Sequence, residues 1–406
     1  MSTPPGAIDL ASILPLGSSP MDKAPESDAA GLRDALLAGD HAGARRRLGL
    51  EGDPAIPLPA ILQGFALAGA RHAEAPSGAP HGIIFADAVR DLVPTYAGDE
   101  PSRLFEGALE TFLRLAYGPA DPDALLRKEG DNVEMVAVSE LEDALEAGAT
   151  DGALRVCARL LSVMRTKEAF MERLLEIAAG HVTPRGRSLV FAMSAVKGMH
   201  DMTGAPLREV LSNVLVHLAA RRPAPSRGAA GPRTLRWDGI FRAAAQRPGL
   251  LHHGVVFAAH AFQAQRYAQA AKERMLTRLA VSFDSMLPGW DRAAEPLSVD
   301  DPPPSSGEGL ATIPEGEGDR LGAALLAGDA AGARSAVRAW WGRVEDPDPI
   351  YRWLAQACLA KGSPEETGDL IFVNGARWGA HLLKGEGLAL TDRVVDHIAA
   401  LPARER

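Results

Sequence analysis

Apolar residues recur at spacings of three and four in short blocks that end on glycine, proline or a Gly-Asp pair, which predicts amphipathic α-helices along nearly the whole chain. The first block, residues 31–50, puts Leu32, Ala35 and Leu36 on one stripe, with Gly39 and Asp40 as a stop and restart. This hairpin pattern returns from Leu141 and again from Leu321. A second pattern is fullest in residues 252–267, HHGVVFAAHAFQAQRY, and is echoed from His81, Arg187 and Gly368. Aligned on Phe85, Phe191, Phe257 and Phe372, its four copies differ mainly at the position four before (His81, Arg187, His253, Gly368) and three after (Ala88, Ser194, His260, Gly375). On a helix these offsets share one face with the phenylalanine.

The two patterns keep step. Leu36 precedes Phe85 by 49 residues, Leu145 precedes Phe191 by 46 and Leu325 precedes Phe372 by 47. A further helical pattern lies between hairpin and phenylalanine segment, and another follows it, so a unit of several helices is read as duplicated. The unit around Phe257 lacks the hairpin. The expected fold is all-α, with repeated helical hairpins forming a solenoid or a closed helical ring. Expected boundaries are an extended or disordered arm at 1–29, a helical body at 30–287 (units about 30–118, 138–220 and 233–287), an acidic Pro/Gly-rich linker at 288–319 and a final unit at 320–406.

Composition fits this picture. Of the 406 residues 46% are hydrophobic but only 5% aromatic, as expected of helices packed through small side chains. Cys157 and Cys358 sit in apolar helical patterns and read as buried thiols. No apolar run is long enough to span a bilayer and the N-terminus makes a poor signal peptide, so a soluble cytoplasmic protein is expected, with no membrane partner. The net charge of −9 is concentrated in residues 291–319, where eight carboxylates face Arg292 alone. That balance gives no general attraction for nucleic acid, although residues 221–247 hold seven arginines against Asp238.

Signatures of serine hydrolases, P-loop enzymes, zincins and dinucleotide folds are missing from the chain. No histidine has a carboxylate three residues away, and no metal ligand set is expected. Chemistry is therefore sought among the histidines. If the phenylalanine stripe faces inward, His81, His253 and His260 converge on one cavity as acid–base catalysts, with His252, Arg187, Phe85 and Phe257 holding a small-molecule substrate. Arg187 suits an anionic or phenolate group. Asp87 and Asn374, about 200° from the stripe, read as surface groups. Lys197, Lys361 and Lys384, each followed by glycine, read as C-terminal helix punctuation.

Residues 252–283, with the histidine-led helix from His81, resemble the questin oxidase-like family. The resemblance implies an all-α fold and a Baeyer–Villiger-type oxidation of an aromatic, polyketide-like molecule, with NADPH as co-substrate and roles for His81 and His253. Where the last repeat would open on a histidine and an acid, this chain has Glu366, Thr367, Gly368 and Asp369. The alternative is a non-catalytic helical-repeat binding or scaffold protein.

Overall fold

The computed structural model describes residues 26–52, 55–71, 81–96, 101–117, 137–163, 167–182, 186–220, 224–225, 235–247, 251–270, 272–287, 290, 296–297, 313–344, 346–361 and 367–402. Residues 1–25 of the expected arm, most of the expected acidic linker and much of the arginine-rich stretch lie outside the described residues; the arm's last four residues, 26–29, are not extended but helical, with Ala29 buried in the core.

The protein is all-α. In order, the helices are α1 (Glu26–Leu37), α2 (His41–Arg47), α3 (Leu58–Ala70), α4 (His81–Leu92), α5 (Ser102–Phe112), α6 (Val138–Glu146), α7 (Thr150–Val163), α8 (Lys167–Gly180), α9 (Arg187–Met199) and α10 (Gly204–Ala220). They continue as α11 (Trp237–Ala245), α12 (Leu251–Tyr267), α13 (Lys272–Met286), α14 (Glu315–Leu326), α15 (Ala330–Trp341), α16 (Asp348–Lys361), α17 (Gly368–Leu383) and α18 (Gly387–Ala400). The extended pairing among the described residues is β1 (His181–Val182) with β2 (Ala224–Pro225), antiparallel.

Local chemistry explains the hairpins. Gly39, Gly148 and Gly328 each adopt positive φ where the first helix of a hairpin stops. Asp40 and Asp329 then cap the second helix, their carboxylates accepting from the amides of Gly43 and Gly332, both at 2.9 Å. Helix α14 begins at Glu315, five residues before the expected unit boundary. Its first turn carries Glu315 and Glu317, and carboxylates there are favoured by the helix dipole.

The four phenylalanine-centred segments are α4, α9, α12 and α17, and they pack in a closed cycle: α4 on α9, α9 on α12, α12 on α17 and α17 back on α4. All four run in the same direction. Residues at the same offset from the phenylalanine meet across each of three contacts: Asp91 with Lys197, Lys197 with Gln263, and Trp378 with Asp91. Between α12 and α17, His252 stacks on Phe372 near one end while Phe262 meets Trp378 further along. Each ring helix is flanked by the helix before it (α3, α8, α11, α16) and the helix after it (α5, α10, α13, α18).

The constant phenylalanines pack outward. Phe85 meets Phe112 of α5, Phe191 meets His217 of α10, Phe257 meets Phe283 of α13 and Phe372 meets His397 of α18, with ring centroids 4.3–5.5 Å apart. In every unit the phenylalanine fixes the ring helix to the helix that follows it, and the opposite face is left for the ring's interior. The phenylalanines of the expected inward stripe therefore face away from the interior, while two of its members three residues later, Ser194 and His260, meet inside the ring. Gly375 allows the close approach of α17 to α12, since a Cβ there would lie 3.1 Å from Val256 Cα.

Candidate functional site: the polar interior of the ring

With the phenylalanines outside, the interior is lined by positions two, three, five and six after them. These are Asp87 and Asp91 on α4, Ser194 and Lys197 on α9, His260 and Gln263 on α12, and Asn374, Arg377 and Trp378 on α17. All are buried. Asp87 and Asn374, read from the sequence as surface groups, are 4% and 2% exposed. The expectation failed because a helix covered on every side has no solvent face from which to locate its polar residues.

Lys197 is the hub. Its ammonium donates to Asp91 Oδ1 at 2.5 Å and Gln263 Oε1 at 2.9 Å. It also stands 2.7 Å from Asp87 Oδ1. That third contact is off hydrogen-bond geometry and acts as a charge pair, leaving Asp87 Oδ1 without a hydrogen bond. Lys197 stands in the last turn of α9, as expected of helix punctuation, and is in addition a buried counter-ion. Lys361 is buried as well, donating to the carbonyls of Leu325 (2.8 Å) and Ala399. Lys384 does stand at a helix end, in the left-handed region at φ 51°.

Asp91 accepts from Asn374 Nδ2 and Trp378 Nε1 through its other oxygen, each at 3.2 Å. Burial pushes the Asp91 carboxyl up, but the Lys197 ammonium and the Asn374 amide outweigh it and hold the group below its ordinary value. Arg377 binds the Asp91 carbonyl at 3.0 Å and clamps Asp348 with two parallel hydrogen bonds of 2.6 and 2.7 Å. His381 adds a third contact to Asp348 at 2.7 Å.

Deeper in the ring, Ser194 Oγ lies 3.1 Å from Asp87 Oδ2 and 3.2 Å from His260 Nε2. His260 Nδ1 faces the Val256 carbonyl at 2.8 Å, and a carbonyl only accepts, so Nδ1 carries a proton. The single Ser194 proton goes either to His260 or to Asp87; in the second case His260 Nε2–H donates to the serine. Asp87, Ser194 and His260 thus form one hydrogen-bonded chain across α4, α9 and α12. Serine occupies its middle, whereas a nucleophilic triad needs histidine there, oriented by the carboxylate.

The three proposed catalytic histidines do not share one cavity. His260 is sealed in this network at 2% exposure. His253 stands seven residues earlier on the same helix, roughly 10 Å along the axis. His81 and His253 are half-buried near the N-terminal ends of α4 and α12, and Arg187 opens α9. Phe85 and Phe257 lie in the outer packing already described. The polar interior itself was missed, although an Asp, a Lys and a Gln recurring six residues after the phenylalanine, inside otherwise apolar segments, was a usable signal.

His252 stacks on Phe372 with centroids 4.2 Å apart and meets the His397 ring edge-on at 4.2 Å. His397 in turn contacts Asp369 Oδ1 at 2.8 Å. Burial pushes the His252 imidazole down to about 4, with His397 and His253 adding to the shift and Asp369 opposing it. In the unfolded chain the ring takes its proton near 6.5. The folded form resists that proton until about 4, so this contribution to stability is complete above pH 6.5 and is lost as pH falls through 4. His252→Phe keeps the stacking and removes the titration. Thermal melting from pH 7 to pH 4 is expected to fall less steeply than in the parent, and an equal slope would count against this role.

Among the described residues, clefts also open away from the ring. One, about 450 Å³, lies between α5, α14 and α16; Trp353, Ala357 and Leu326 are among its apolar residues and Arg103, Glu106 and Asp319 among its charged ones. Another, about 520 Å³, is bounded by Arg334, Arg338 and Arg393 with Asp392 and Asp396. Arg242, from the arginine-rich stretch, is engaged internally by both oxygens of Glu386 at 2.8 Å. Among the described residues no helix is long and apolar enough to cross a membrane. No family model, curated protein or solved structure matches the chain.

Proposed function

We propose that the chain binds a small anionic aromatic molecule at the N-terminal mouth of the four-helix ring. Its chemistry there is a questin oxidase-like, Baeyer–Villiger-type oxidation drawing on NADPH. One observation carries this reading: the ring helices run parallel, so the repeat-equivalent residues His81, Arg187, His253 and Gly368 belong to the same end. Four helix N-termini add positive potential there, which favours a phenolate, carboxylate or phosphate. Two features leave room and a polar anchor. A Cβ at Gly368 would meet nothing within 4 Å, and the Thr367 hydroxyl is buried without a hydrogen-bond partner. In this reading Arg187 holds the anion while His81 and His253 exchange protons near neutral pH. His260, further inside, orders the ring.

The test is a thermal-shift screen of phenolic and quinone-like aromatics, followed by oxygen and NADPH consumption with any that bind. Binding is expected to raise the melting temperature of the parent and of Leu326→Glu, and to be lost in Arg187→Ala and His253→Ala. Equal shifts in all four proteins would refute the mouth as the site.

A scaffold reading is favoured by one feature, the cleft between α5, α14 and α16, where Leu326 is 48% exposed beside Trp353. It predicts the reverse pattern, with ligand binding sensitive to Leu326→Glu alone.

A further inference from the structure

Glu142 and Glu146 are one helical turn apart on α6 and share a face. His181 reaches the same place from β1. One donor atom from each of the three lies within 4.8 Å of the others. His181 is 3% exposed, and neither of its ring nitrogens has a hydrogen-bond partner. A buried imidazole left unsatisfied at both nitrogens is costly, and native structures rarely retain one without a reason.

The electrostatics point the same way. Arg278 of α13 donates to both oxygens of Glu142, through Nη1 to Oε1 and through Nη2 to Oε2 at 3.1 Å. It offsets one of the two carboxylates. Two carboxylates thus stand beside a single guanidinium and face a buried imidazole whose unprotonated nitrogen has a free lone pair.

We propose that Glu142, Glu146 and His181 form a binding site for a divalent first-row transition ion, zinc being the best fit. Two carboxylate oxygens and one imidazole nitrogen suit zinc, whereas calcium and magnesium require more oxygen donors. Zinc bonds to such atoms are about 2.0–2.2 Å long, so small side-chain movements bring the three donors onto one ion. A neutral imidazole ligates a metal through its unprotonated nitrogen. Arg278 holds both oxygens of Glu142 and so fixes the carboxylate, whose remaining lone pairs can reach the ion, as outer partners of metal ligands do. Both glutamates are partly exposed, leaving the remaining coordination positions to water. The ion clips α6 to the β1 segment beside α13. No sequence motif announces it, because Glu146 and His181 are 35 residues apart.

The test uses the full chain, stripped with a chelator and titrated with zinc chloride by calorimetry and thermal melting. One equivalent is expected to bind and raise the melting temperature, with magnesium chloride giving no comparable shift. Glu146→Gln and His181→Ala are expected to weaken zinc binding by roughly tenfold or more. His41→Ala, at an exposed imidazole, is expected to leave it unchanged. Glu146→Gln changes a half-exposed side chain and serves as the reading if His181→Ala fails to fold. Zinc affinity in Glu146→Gln equal to the parent, loss of binding in His41→Ala, or no saturable binding at all would overturn the site.

Discussion

Lys197→Met is expected to destabilise the protein by about 3–5 kcal/mol, the cost of removing one partner from a buried ion cluster. The substitution keeps most of the side-chain volume, so the loss measures charge rather than packing. Asp87 and Asp91 are then left facing each other inside the ring without a counter-ion, and Gln263 loses its donor. Neutralising the whole cluster, in the triple variant Asp87→Asn, Asp91→Asn, Lys197→Met, is expected to recover much of the loss, because carboxamides tolerate burial that carboxylates do not. Urea unfolding followed by circular dichroism reads both effects. A single variant within about 1 kcal/mol of the parent would mean that the cluster is solvated and the ring interior open.

The second large effect is at Arg377, which is 1% exposed and ties α17 to Asp348 of α16 and to the Asp91 carbonyl of α4. Arg377→Met is expected to cost on the order of 3 kcal/mol at pH 7, again by stranding a carboxylate. Its pH dependence separates this from lost packing. Burial pushes the Asp348 carboxyl up, yet Arg377 and His381 hold it well below the usual range. A depressed folded value contributes stability that is complete above the unfolded pKa of about 3.9 and declines as pH falls below it. Without the guanidinium the carboxyl takes its proton at higher pH. The stability gap between parent and variant should therefore narrow on acidification toward pH 3. A gap constant from pH 7 to pH 3 would assign the loss to packing alone.

Both results bear on why charges occupy the middle of this molecule. A ring closed by four parallel helices aligns their dipoles, and apolar side chains alone would fix neither the rotation of each helix nor its level along the axis. Asp91, Lys197, Gln263 and Trp378 recognise one another at equivalent levels, so they set that register. The arrangement is costly if any member is missing, which is the origin of both predicted losses.

The sequence by itself determined the helices, the hairpins with Gly39 and Gly328 at their stops, and the recurrence of a phenylalanine-centred segment. These are local matters: 3.6-residue periodicity, glycine's access to positive φ, and aspartate's capping of free amides. Only the tertiary structure decided which way each segment faces. Periodicity tells which residues share a face, but a helix is oriented by contrast between an apolar and a solvated side. Helix α9, buried along nearly its whole length, offers no such contrast. For the same reason Asp87 read as surface, and His260 as the companion of His81 and His253. The grouping of Glu142, Glu146 and His181 was equally beyond reach, because it depends on how β1 and α6 are brought together by helices far apart in the chain.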